Sequence, residues 1–175
     1  MSSNFRCTIV SLLFAGFLVA CVDLHRVSGA GSGSVVRENG TLKVMLFLTD
    51  DLDELQKQWA QPAPPTLNPI NAARIGEGVF AVLVFTGCAP DGSGLCQLVA
   101  DYTVTDPRGQ PFKSDRERPV CLGKPPPQSG LLALGEESAG FTISSGPIGE
   151  YTVHAVVRDR VNGATVDLST SFLIH

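Results

Sequence analysis

The sequence predicts an all-β protein, an antiparallel β-sandwich of about seven strands with one short helix after the first strand. Short runs in which apolar and polar residues alternate recur along residues 41–175, and turn-forming residues separate them. The 18 Gly and 12 Pro of the 175-residue chain supply these turns. An Asn-Gly pair near the C-terminus joins the last two runs in a hairpin. Residues 41–175 are therefore expected to form a single domain.

The first predicted strand covers residues 41–49, and the segment after it changes period. Apolar residues at i, i+3 and i+7 and an Asp-x-x-Glu capping pair predict a short helix over residues 50–60. The apolar face of this helix would consist of Leu52, Leu55 and Trp59.

A long Pro- and Asn-rich connection, residues 61–78, follows the helix. It is either an ordered surface loop or the site of a short second helix around residues 71–74. Long connections without regular structure are often functional. We therefore take this region as the candidate interaction surface, with Trp59, Asn68, Asn71 and Arg74 as its candidate residues.

The remaining strands follow from hydrophobic patterning. Residues 79–87 are apolar on both faces, which is typical of a central buried strand. Residues 96–107 and 149–159 alternate, and a final strand runs to residue 174. Shorter strands are expected within 118–123 and 140–145. The side chains expected to point inward are Leu98, Ala100, Tyr102, Val104, Tyr151, Val153, Ala155 and Val157, and those expected to point outward include Val99, Asp101, Thr103, Thr105 and His154.

Composition limits the classes of function. Apolar residues make up 43% of the chain, which is enough for a core. The net charge is −4, whereas binding to nucleic acid requires a clustered basic surface. The most basic stretch, residues 108–118, also contains Asp115 and Glu117 and is expected to be a solvated loop. We expect no nucleic-acid partner.

Residues 1–20 have the pattern of an export signal peptide. Arg6 supplies a positive charge, and the apolar run over residues 8–20 is shorter than the roughly 20 residues that a transmembrane helix needs. Two cleavage sites remain open. The sequence LVAC resembles a bacterial lipobox, which would make Cys21 the lipidated first residue, and SGA would direct ordinary cleavage after Ala30.

A flexible Gly/Ser tether is expected over residues 21–40, because residues 28–34 read SGAGSGS. A lipid at Cys21 would anchor the domain to a membrane through this tether. The expected location is the periplasm or the outer membrane, with secretion as the alternative.

Cys88 and Cys96 flank the turn-forming run APDGSGL, and a disulfide between them is expected in an exported protein. Such a bond would contribute roughly 2–3 kcal/mol in the chain-entropy model. Zinc usually needs four ligands and a redox pair prefers a C-x-x-C spacing, so no metal or cofactor is expected. Cys121 remains either as a buried thiol or as a competitor for one of the pair.

The stretch GPIGEYTVHAVVRDRVNGATVDLSTSFLI, residues 146–174, resembles the last two strands of bacterial immunoglobulin-like modules. The stretch DYTVTDPRGQPF, residues 101–112, is similar to their middle strands, in which a D-P-x-G turn recurs. The resemblance implies an immunoglobulin-like sandwich. Such modules serve as adhesins, spacers, chaperones and carbohydrate binders, so it implies no particular activity.

We expect a non-enzymatic structural or interaction module of the cell envelope whose partner is an unidentified envelope protein. The final strand is a candidate open edge for that partner. One alternative is a carbohydrate-binding module, for which Trp59 would be the exposed aromatic residue. Another is a hydrolase that combines His154 with Asp101 or Asp159 and a serine, although no nucleophile elbow supports it.

Overall fold

The computed structural model describes residues 33–175, which form ten strands and one helix. In chain order these elements are β1 (Ser34–Asn39), β2 (Leu42–Thr49), α1 (Leu52–Trp59), β3 (Ala72–Ala73), β4 (Gly78–Thr86), β5 (Gln97–Thr105), β6 (Pro111–Leu122), β7 (Ala133–Leu134), β8 (Ala139–Thr142), β9 (Gly149–Asp159) and β10 (Thr165–Ile174). The prediction of a largely β protein with one short helix is confirmed.

The strands form two five-stranded sheets. The first has the order β1-β2-β4, and β7 and β8 share the other edge of β4. The second has the order β3-β10-β9-β5-β6. Inward side chains of both sheets form one apolar core, which includes Leu83, Leu98, Tyr151 and Phe172. The two sheets therefore pack face to face, as alternating strands with one apolar face require.

Pairing is antiparallel except between β3 and β10, which run parallel with Leu173 opposite Ala72. The expectation of wholly antiparallel strands is wrong at this pair. A second helix at residues 71–74 is likewise not formed, because the backbone there pairs with β10, whose Leu173 N–H donates to Asn71 O at 2.9 Å. This pairing also covers the last residues of β10, so the C-terminal end of that strand is not the open edge that we expected.

Part of the expected tether is a strand. Residues 34–39 form β1 and pair with β2, from Ser34 opposite Phe47 to Asn39 opposite Leu42. Gly40 adopts φ 61° in the turn that connects them, and Val35 packs against the core. The signal peptide, Cys21 and the start of the tether lie outside the described residues.

Helix α1 covers the outer face of the first sheet. Its N-cap is Asp51, whose Oδ1 accepts a hydrogen bond from the Glu54 N–H at 2.9 Å, as the capping pattern predicts. Leu55 is buried in a second apolar cluster with Phe47, Val82 and Val84. Strand β4 is therefore apolar on both faces because one face meets the second sheet and the other meets the helix.

The expected loop at residues 108–118 is wrong beyond the D-P-R-G turn, because residues 111–122 form strand β6. This strand lies at the edge of its sheet, where charged side chains remain solvated, so its charges do not prevent a strand from forming. Its pairing with β5 is irregular near Glu117, which has φ 55° and donates its backbone N–H to Asp101 Oδ1 at 2.8 Å. On the other side of β5 lies β9, whose inward residues are buried as predicted.

Val99 was expected to point to solvent, but it is buried. Its partners in the flanking strands are Arg158 and Pro119. The side chain of Arg158 is held across the sheet by Asp101 and Glu117, so the outer face is covered at this position.

Candidate functional site

The structure contains the predicted disulfide between Cys88 and Cys96, which closes the loop between β4 and β5. Asp159, a buried carboxylate at the end of β9, accepts hydrogen bonds from the backbone N–H groups of Ala89 at 2.7 Å and Val161 at 2.9 Å. The start of the disulfide loop is thereby tied to the β9–β10 hairpin.

The interior of the loop is organised by Asp91. Its Oδ1 accepts from the backbone N–H groups of Leu95 and Ser93 at 3.1 and 2.8 Å, and its Oδ2 accepts from Gln97 Nε2 at 3.0 Å. These bonds, the Leu95 N–H foremost, lower the pKa of Asp91 because they favour its charged form. The turn residues that predict this loop thus also supply its internal hydrogen bonds.

Cys121, on β6, is a buried free thiol beside this disulfide. The Sγ atoms of Cys88, Cys96 and Cys121 all lie within 4.8 Å of one another. Burial raises the pKa of the Cys121 thiol, and the nearby Glu136 carboxylate adds to this effect. Cysteine thiolates bind soft metals, but two of these sulfur atoms are bonded to each other and offer no thiolate. The cluster therefore forms a disulfide with a third sulfur beside it.

The candidate interaction residues do not converge. Trp59 lines a groove at the end of α1, whereas Asn68 lies in a separate cavity next to the helix N-terminus. The Asn71 carbonyl is used in the pairing of β3 with β10, and Arg74 contacts Glu77 through its backbone N–H at 2.8 Å and an ion pair at 3.9 Å. The connection 61–78 is divided because Ile70, whose N–H donates to Leu48 O, and β3 attach its middle to the sheets.

We call the surface cavity at the end of α1 the Trp59 groove. It has a volume of about 490 Å³ and is lined by Trp59, residues 61–65, Leu67 and residues 130–132. None of these side chains carries a formal charge. Leu131 and Leu132 are 55% and 53% exposed at its rim.

The leucine pair was missed by sequence analysis. The signal that could have identified it is SGLLALG, in which adjacent leucines follow a turn residue without an alternating pattern that would bury one of them. The structure leaves both leucines exposed, and contiguous exposed apolar surface is typical of interaction sites.

In the predicted hydrolase arrangement, Asp101 or Asp159 is the acidic partner of His154, and the structure shows that neither is. His154 lies on the outer face of the second sheet, with its Nε2 2.7 Å from Asp167 Oδ1. Asp101 instead binds Arg158 at 2.8 Å, and this hydrogen bond lowers the pKa of Asp101. Asp159 accepts a hydrogen bond from the backbone N–H of Ala89 in the disulfide loop.

The two tyrosines are inward, as expected. Tyr102 and Tyr151 are almost fully buried, so neither offers an exposed aromatic platform. Trp59 is half-buried and packs against the second apolar cluster through α1. Within residues 33–175, no helix is long and apolar enough to span a bilayer.

No protein-family model matches the chain, and a comparison with curated proteins found no match. Among solved structures, the alkylpurine DNA glycosylase AlkC of Pseudomonas fluorescens bound to DNA containing an abasic site analog is similar over 60% of this chain and 28% of its own, with 18% identity and a TM-score of 0.38. A family 123 glycoside hydrolase from Clostridium perfringens is similar over 77% of this chain and 27% of its own, with 12% identity and a TM-score of 0.39. The chain thus spans little more than a quarter of either protein, and neither likeness assigns a function.

Proposed function

We propose that this chain is an exported, non-enzymatic interaction module of a bacterial cell envelope that binds a partner protein through the Trp59 groove. The observation that carries the proposal is the exposed pair Leu131 and Leu132 beside Trp59. Leucine side chains left more than half in water gain free energy when a partner covers them. Interface cores are rich in aromatic and apolar residues of this kind and poor in charge.

The walls of the groove are held in place before any partner binds. On one side, Gln58 Oε1 accepts from the Thr66 N–H at 3.0 Å and ties the Pro-rich segment to the helix. On the other side, the Leu131 N–H donates to Gln128 O at 2.9 Å. The prolines at positions 62, 64 and 65 restrict their own backbone. Binding would therefore cost little ordering entropy.

The chemistry of the lining indicates the partner. Because the lining has no charged side chain, it offers no ion pair to a charged peptide or to a lipid headgroup. An uncharged apolar segment of an envelope protein is complementary to it. The expected occupant is such a segment, and a membrane surface is the competing occupant that the experiment must distinguish.

Export is supported by the disulfide, because such bonds persist in oxidising compartments. The signal-like residues 1–20 support it independently. Lipidation at Cys21 and cleavage after Ala30 are distinguished by the intact mass of the protein from its own host. A start at Cys21 with added acyl mass means an anchored lipoprotein, and an unmodified start after Ala30 means a soluble module.

The proposed fold of this module is an immunoglobulin-like sandwich. The strand order β10-β9-β5-β6 in one sheet and β2-β4-β8 in the other supports this assignment. A second support is Tyr151, near the start of β9, whose hydroxyl donates to Pro147 O at 3.0 Å. A tyrosine that bonds to the backbone a few residues upstream is typical of these folds.

The experiment places a photo-crosslinking amino acid at Leu132 in the full chain, expressed in its own host, and identifies the cross-linked protein by mass spectrometry. The matched control carries the same group at Ile148, which is 66% exposed but lies outside the groove. A partner specific to Leu132 is then purified and titrated. We expect the Leu131→Ser/Leu132→Ser variant to bind it at least about tenfold more weakly and Ile148→Ser to bind normally.

Equal loss of binding in both variants would contradict the proposed site. So would groove-dependent binding to phosphatidylglycerol vesicles in place of a protein, because that result would assign the leucines to a membrane.

A further inference from the structure

The three cysteines come from different parts of the fold. Cys88 lies just after β4, Cys96 just before β5, and Cys121 near the end of β6. All three are buried and are at most 5% exposed, yet their Sγ atoms lie within 4.8 Å of one another. The disulfide is therefore shielded from external thiols and lies beside an internal one.

Backbone pairing holds this arrangement. Cys96 donates its N–H to Lys124 O at 2.7 Å and accepts from the Gly123 N–H at 3.0 Å, so the β5–β6 ladder extends to the disulfide. In that ladder Leu98 is directly opposite Cys121. Cys96 and Cys121 are thus diagonal neighbours on one face of the pair, a relation in which side chains remain within reach.

We propose that Cys121 is the third member of an exchangeable disulfide site. Its thiolate attacks the Sγ of Cys88 or Cys96, a new S–S bond forms, and the Cys88–Cys96 bond breaks. The electron pair leaves on the displaced sulfur, which takes up the proton that Cys121 lost. The step is an isomerisation that needs no oxidant or reductant. Attack on Cys88 gives the Cys88–Cys121 pairing, and attack on Cys96 gives the Cys96–Cys121 pairing.

Each pairing ties different segments together. The observed bond joins the end of β4, in the first sheet, to the start of β5 in the second. A Cys96–Cys121 bond would lie wholly within the second sheet and would remove the covalent link between that sheet and the start of the disulfide loop, which only hydrogen bonds such as that from Ala89 to Asp159 would then hold. Exchange therefore changes how firmly the two sheets are joined at this end of the molecule.

The rate of exchange depends on how much of the Cys121 thiol is present as thiolate, which burial and the nearby charged groups control. Burial and the Glu136 carboxylate disfavour its thiolate, and the Lys124 ammonium, which is 3.4 Å from Glu136, opposes them. Only the thiolate attacks. Exchange is therefore slow at neutral pH and accelerates as the pH rises.

The test uses the full chain with Cys7→Ser and Cys21→Ser, so that only the clustered cysteines remain. The oxidised protein is incubated at alkaline pH, quenched with acid, alkylated and digested with trypsin. Tryptic peptide 75–108 holds Cys88 and Cys96, and peptide 117–158 holds Cys121. Exchange converts an internal disulfide in the first peptide into a cross-link between the two, and cleavage before Asp91 shows which cysteine is joined.

We expect the cross-linked fraction to grow with time, to be independent of protein concentration, and to be absent in Cys121→Ser. With oxidised glutathione present, Cys88→Ser should form the Cys96–Cys121 bond and Cys96→Ser the Cys88–Cys121 bond. The protein that retains all three cysteines is decisive even if a single variant misfolds. If its cross-link never appears at alkaline pH while its far-ultraviolet circular dichroism stays native, the proposal is overturned.

Discussion

The two buried tyrosines make a matched pair for testing the hydrogen bonding of the core. The Tyr151 hydroxyl donates to Pro147 O at 3.0 Å, whereas the Tyr102 hydroxyl is buried and has no hydrogen-bond partner among residues 33–175. Burial raises the pKa of Tyr102, which agrees with a hydroxyl that is removed from water. Replacing each tyrosine with phenylalanine removes only the hydroxyl and keeps the ring.

Tyr151→Phe should lower the free energy of unfolding by about 1 kcal/mol, the usual net value of one neutral hydrogen bond. The ring contacts with Phe112 and Phe172, at centroid distances of 6.0 and 5.8 Å, are retained, so no cavity term is added. For a domain of this size, the midpoint of thermal unfolding should fall by about 3 °C. Tyr102→Phe should leave stability unchanged or raise it, because no bond is lost and an unsatisfied polar group is removed.

Urea unfolding of the oxidised proteins measures both effects, with the fluorescence of Trp59, the single tryptophan, and circular dichroism as independent probes. The reasoning is refuted if Tyr102→Phe is destabilised as much as Tyr151→Phe, or if Tyr151→Phe is as stable as the parent.

Other predictions concern the helix, the disulfide loop and one glycine. Leu55→Ala should cost about 2–5 kcal/mol in urea unfolding because its side chain is buried beneath α1, whereas Leu132→Ala at the groove rim should change stability by less than about 0.5 kcal/mol. Equal effects would contradict the packing described for the helix. The pKa of Asp91 is lower in the folded state, so its contribution to stability is present above the unfolded pKa and is lost as the pH falls through the folded value. Asp91→Asn should therefore show a shallower loss of stability than the parent in an acid titration, and an unchanged acid slope would argue against the loop hydrogen bonds. Gly87 has φ 76°, and a Cβ there would lie 1.9 Å from Thr41 O, so Gly87→Ala should cost at least about 2 kcal/mol while Gly92→Ala, in open space, should be neutral. Both are measured by thermal unfolding, and tolerance of alanine at position 87 would contradict the close approach of the two backbones.

The strands that sequence patterning located best are those with strong local signals. Strand β9 has the predicted bounds because apolar and polar residues alternate throughout it and a hairpin turn follows it. Helix α1 was located by its capping pair and its apolar spacing, and the disulfide by the turn residues between its cysteines. In each case the neighbours in the chain are also neighbours in space.

The strands that were missed, or predicted only in part as β6 was over residues 118–123, lie at sheet edges. Strand β6 has a charged sequence that would disfavour a central strand, and these charges are tolerated because the strand lies at the edge of its sheet, where they remain in solvent. The two-residue strand β3 is specified by its partner β10 and has no pattern of its own. Strand β1 is short and directly follows a Gly/Ser segment, so its residues were included in the predicted tether.

The sequence alone determined the largely β character, the helix and the Cys88–Cys96 disulfide, since periodicity, capping and turn chemistry act over a few residues. Tertiary structure decided which side chains meet. It brought Trp59 to Leu131 and Leu132, placed Cys121 beside the disulfide, and paired His154 with Asp167. These contacts depend on strand register and on the packing of one layer over another, and a register shift of one residue would turn Cys121 or His154 to the opposite face of its sheet.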